Sequence, residues 1–123
     1  MNWKNQVTEN YETISKYSVI GLRSACSDEK YNVGDTARNS YDWDMENDCS
    51  SDDELNGTSA IVIDNSWLEG ADDLIERIEN TIDDVKSYHG GKHIVLLGGW
   101  RESQVTDDGE RVIENAVVLA VIK

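Results

Sequence analysis

Apolar positions in this chain fall into short blocks, and the spacing inside each block predicts an element. Trp3, Val7, Tyr11 and Ile14 recur at three and four residues, so 3–15 reads as an amphipathic helix. The stretch Tyr17–Arg23 that follows reads as a strand. A turn at Gly57 leads into a second strand, Thr58–Asp64. The strongest helical signal covers 69–88, where Ala71, Leu74, Ile75, Ile78, Ile82 and Val85 share one face. Ser66 is its expected N-cap, and Gly90-Gly91 its expected stop. His93–Leu97 is almost wholly apolar, as central strands are, and Gly98-Gly99 is expected to break it. Trp100–Thr106 and Glu110–Ile113 flank Asp107-Asp108-Gly109, a hairpin-turn signal. Val117–Ile122 reads as a last, buried strand.

Between 24 and 56 no apolar period persists. Tyr31, Val33, Tyr41 and Trp43 interrupt this polar stretch, so a long ordered loop with anchors is expected. The order of elements implies one α+β domain over 1–123: a mixed sheet of four to six strands packed by one long amphipathic helix (about 69–88), with a short N-terminal helix.

Charge changes this picture more than composition does. Asp and Glu number 25 against 11 Lys and Arg, a formal net charge of −14. Duplex nucleic acid is bound through clustered cations, so a direct nucleic-acid binder is excluded. A basic membrane-surface helix is excluded on the same ground, and no apolar run approaches a membrane span. The start, Met-Asn-Trp-Lys, has no signal-peptide stretch, so the cytoplasm is the expected compartment. Cys26 and Cys49 are expected to be reduced there.

The acids are not spread evenly. Seven lie in 42–54 and seven in 69–88. Asp42, Asp44 and Glu46, together with Asp72, Asp73, Glu76 and Glu79, form a candidate acidic interaction face that would steer a cationic protein partner. Asp42, Asp44, Glu46 and Asp53 also match calcium-loop positions one, three, five and twelve. Asn47 stands where that loop needs glycine, and no helix pair flanks it, so a solvated loop is the plainer reading. His89 and His93 are four apart, but the glycines between them break any helix, so no metal site is expected.

The arginines stand out because they are few. Arg23 ends the first strand, Arg38 lies between Tyr31 and Trp43, and Arg101 follows Trp100. Guanidinium groups beside aromatic faces suit a phosphorylated, base-bearing small molecule, and Thr58 and Ser59 add hydroxyl and backbone donors. Arg23, Arg38, Trp43, Thr58, Ser59, Trp100 and Arg101 are therefore the candidate ligand contacts. The simpler alternative pairs each arginine with a surplus acid and puts the tryptophans in the core or at anchors. Arg23, Thr58-Ser59 and Glu114 can be fitted to an ADP-ribosyltransferase pattern, but three common residues in a short chain match cheaply. No catalytic residue and no cofactor is expected.

Gly21-Leu-Arg23, Tyr31-Asn-Val-Gly-Asp35, Asn39-Ser-Tyr-Asp-Trp43, Leu55-Asn-Gly-Thr-Ser-Ala60, Leu97-Gly-Gly99 and Asn115-Ala-Val-Val-Leu119 resemble small accessory proteins of phages and prophages over most of 17–121. The resemblance implies an anti-defence role. It would be either that of a sponge for a nucleotide signal, like the Thoeris anti-defence proteins, or that of an acidic inhibitor, like several anti-CRISPR proteins. It carries no residue role onto this chain. The expectation is thus a non-enzymatic binding protein that sequesters a small nucleotide-derived immune signal, with a homo-oligomer as its expected assembly. The alternative is an acidic inhibitor that blocks a cationic nucleic-acid-binding surface.

Overall fold

The computed structural model describes residues 3–25, 32–34, 57–89, 93–100, 102–105, 111–114 and 116–122. Two helices and six strands are built from them. Chain order is α1 (Trp3–Ile14), β1 (Val19–Ala25), β2 (Gly57–Ile63), α2 (Ala71–His89), β3 (His93–Gly99), β4 (Glu102–Val105), β5 (Arg111–Glu114) and β6 (Val117–Ile122). The strands form one sheet in the order β4-β5-β2-β1-β3-β6. Every pair is antiparallel, so the expected mixed sheet is corrected to an antiparallel one. β2 and β3 both flank β1, and α2 connects them across it. This is a split β-α-β arrangement, and it explains why one helix packs over the middle of the sheet.

Strand alternation sorts the side chains into two layers. Ile20 and Leu22 of β1, Ile63 of β2, and Ile94 and Leu96 of β3 meet the helices. There they pack with Val7 and Ile14 of α1 and with Leu74, Ile78 and Val85 of α2. Burying each of these side chains contributes roughly 1.5–3 kcal/mol before conformational entropy is counted. The opposite face is also buried, through Ala60, Val95, Leu97, Ile113, Ala116 and Val118.

β6 breaks strict alternation, and its register shows why. Pairing passes from Leu96↔Ala120 to Leu97↔Val118, which leaves Leu119 as an extra residue in a β-bulge. Leu119 and Ala120 can then both join the helix-side core, while Val118 joins the other face. The outer edge of β6 is also covered. The Gly34 N–H donates to the Val118 carbonyl at 2.8 Å, and the Val121 N–H donates to Gln6 Oε1 at 3.2 Å. Both bonds occupy groups that an open edge would offer to another strand. Val33, expected as an apolar anchor, is instead exposed, and the anchor at this point is the backbone of Gly34.

Two local expectations are corrected. β3 does not break at Gly98-Gly99 but runs through both, paired with Ile20 and Val19. A Cβ on Gly98 would lie 2.5 Å from Leu119 Cδ1 and 2.9 Å from Tyr17 Cγ, so glycine here serves close packing. The long helix starts at Ala71, and Gly70 rather than Ser66 caps it, with the Leu74 N–H donating to the Gly70 carbonyl. Asp73 Oδ2 in turn accepts the Glu69 N–H at 3.2 Å, a variant of the reciprocal capping box. Of the expected loop 24–56, Ser24 and Ala25 belong to β1, and most of the remainder lies outside the described residues.

Candidate functional site

The periodicity that buries one side of α2 lines up acids on the other. Asp72, Glu76, Glu79 and Asp83 are spaced i, i+4, i+7 and i+11, which places them within about 60° of one another around the helix. All four are exposed, and together they make a line of carboxylates about 16 Å long. Lys4 of α1 bridges Glu79 at 3.1 Å on the surface, an ion pair worth little in water. Asp73 does not share this line. It is half-buried, ion-paired with Arg77 at 3.1 Å and bonded to the Glu69 N–H, so it is a structural acid. The stripe therefore keeps Asp72, Glu76 and Glu79 from the expected face, loses Asp73 and gains Asp83. Extending the same spacing by one turn would have found Asp83 in the sequence.

Next to the stripe, the β2–α2 connection makes a rigid turn. Asp64 Oδ1 accepts the Ser66 N–H at 2.9 Å. One nitrogen of Arg77, Nη1, donates to the carbonyls of Asp64 and Ser66, both at 2.7 Å. Asn65 Nδ2 donates to the Tyr17 carbonyl at 3.1 Å and ties the turn to the entrance of β1. The same corner holds Trp100. Its ring stacks on Tyr17 at 4.8 Å between centroids, and the Ser18 hydroxyl donates to its carbonyl. Trp67, at the centre of the turn, has a φ of 56° and is 92% exposed. Trp100 is 63% exposed. Neither tryptophan is the core residue that its type suggests.

The Asp64 carboxyl is held below its ordinary value, first by the Ser66 backbone N–H, then by the Ser66 side chain, with Arg77 adding attraction. A depressed folded-state pKa stabilises the turn above the unfolded-state value, and that contribution is lost as pH falls through the folded value. Acid titration followed at the Ser66 amide proton should therefore show a midpoint below 3.8. A midpoint at or above 3.8 would mean that the Asp64–Ser66 bond does not form in solution.

The expected ligand contacts do not converge among the described residues. Arg38, Trp43 and Arg101 lie outside them, as do Asp42, Asp44 and Glu46. Arg23 is fully buried, on β1 opposite Val95. Trp100 lies five residues beyond Val95, about 16 Å along the strand direction, so Arg23 and Trp100 occupy opposite ends of β1 and β3. Thr58 pairs with Ile113 and Ser59 with Val112 on the β2–β5 ladder. Arg111 pairs with Ala60, and continuing the β1–β2 register by one residue sets Arg23 beside Ala60. Arg23, Ala60 and Arg111 thus form one transverse row. His89 ends α2 and His93 opens β3, so the histidines share no helix. No group of three or more metal-ligating side chains gathers among the described residues. No described helix is long and apolar enough to cross a membrane.

No family model, curated protein or solved structure matches the chain.

Proposed function

We propose that this protein is a non-enzymatic acidic inhibitor that covers a cationic, nucleic-acid-binding surface of another protein. The observation that carries this reading is the exposed carboxylate line Asp72, Glu76, Glu79 and Asp83 on a helix whose opposite side is fixed in the core. A rigid line of charge loses little freedom on binding and presents to lysines and arginines what a phosphate backbone presents. The resemblance to phage accessory proteins makes a bacterial defence nuclease the target class of this proposal, and the bacterial cytoplasm its place of action.

The test is phage plating on bacteria that carry a nuclease-based defence and express this chain. Wild type should restore plating. The combined change Asp72→Asn, Glu76→Gln, Glu79→Gln and Asp83→Asn should lower that rescue by about tenfold or more, one decade for each ~1.4 kcal/mol of binding lost. Equal rescue by the variant and by wild type would overturn the reading.

A second reading, sequestration of a small nucleotide-derived signal, is favoured by the Arg23–Ala60–Arg111 row. Of this row Arg111 is exposed and is the cation an anionic group would meet, while the buried Arg23 holds the row from within the sheet. On this reading Arg38→Ala or Arg111→Ala abolishes rescue and the four neutralised helix acids do not. Native mass spectrometry of protein purified from bacteria would then show a retained nucleotide.

A further inference from the structure

Among the described residues Trp67 is the least expected side chain. The residue is 92% exposed, so its apolar area is left in water. Its φ of 56° lies in the left-handed region, which costs a non-glycine residue free energy. The turn is nevertheless held, because Asp64 and Arg77 bond its backbone and Asn65 ties it to the Tyr17 carbonyl. An aromatic ring fixed in this way is already organised for contact, and tryptophan is the residue type most enriched at binding hot spots.

Resting on the acidic-inhibitor reading, we infer that Trp67 is the apolar anchor of the docking surface, and that it enters an indole-sized pocket of the partner protein rimmed by lysine and arginine. Charge complementarity selects this partner. Asp64, Glu69 and Asp72 are exposed on the same turn and on the first turn of α2. Arg77, the basic residue of this region, is turned inward onto the Asp64 and Ser66 carbonyls and Asp73. Along the chain Trp67 thus lies between the exposed Asp64 and Glu69, and Asp72 opens the carboxylate stripe five residues on. The stripe steers a cationic partner, and the indole, once desolvated in a pocket, supplies short-range affinity.

Calorimetric titration with two synthetic probes tests this: an amphipathic lysine–leucine peptide and an oligolysine of equal charge. Wild type should bind the amphipathic peptide about tenfold or more tightly than the oligolysine. Trp67→Gly should erase that preference while leaving oligolysine binding unchanged. Glycine adopts the left-handed backbone freely, so the variant's urea midpoint should equal or exceed that of wild type. Trp67→Tyr should recover part of the preference. An unchanged preference in Trp67→Gly overturns the anchor and leaves the acidic face standing. If wild type binds neither probe, the acidic-face reading falls with it.

Discussion

Arg23→Ala should destabilise the protein by about 3–5 kcal/mol, a large share of the ~5–15 kcal/mol typical of a small domain. Arg23 is 0% exposed and sits in the middle of the sheet, among apolar neighbours of the non-helical face. A guanidinium buried to this degree persists only where hydrogen bonds and opposite charge meet it. Truncation removes its buried stem and guanidinium from between these neighbours and opens a cavity. Urea unfolding should show a lower midpoint with an unchanged slope. Arg23→Met keeps much of the volume and should lose less, so the difference between the variants measures packing. A loss below ~1 kcal/mol for Arg23→Ala would mean that the residue is not structural, and the sequestering reading would gain. Gly21 supports the same site: a Cβ there would lie 3.0 Å from both Ala60 Cβ and the Ile61 carbonyl oxygen.

Gly98→Val should cost about 1–3 kcal/mol through overpacking. The clash falls on two side chains of unequal freedom. Leu119 Cδ1 is the tip of a flexible chain and can swing aside, but the Tyr17 ring is held between the helix-side core and Trp100. The valine therefore displaces the Tyr17–Trp100 stack. A weaker near-ultraviolet circular dichroism signal and a lower urea midpoint should appear together. Unfolding at the wild-type midpoint with an intact aromatic signal would show that the glycine is not needed for close packing.

Much of the fold was legible because buried periodicity is a strong signal. Leu74, Ile78 and Val85 marked α2, and Val117–Ile122 marked β6, since burial against a core leaves a repeating apolar trace. What misled was residue type taken without tertiary context. Gly98-Gly99 read as a break because glycine weakens strands, yet here it admits Tyr17 and Leu119. Ser66 read as a cap because hydroxyls favour that position, yet its carbonyl and amide belong to the turn held by Arg77 and Asp64. The site was half legible. The acids of α2 were visible as charge, but their division into an exposed stripe and the structural Asp73 depends on which carboxylate Arg77 meets. Trp67 gave no signal at all, because its left-handed φ belongs to a turn that Arg77, ten residues further on, holds by the Asp64 and Ser66 carbonyls.

On the proposed reading the working surface is the outer side of α2 with its preceding turn. Backbone amide shift mapping during titration with the lysine–leucine peptide tests it most directly. The largest shifts should fall on residues 64–83, strongest at Trp67, Asp72 and Glu76, and should shrink as salt is raised. Largest shifts on β1 and β5 around Arg23 and Arg111 would contradict it.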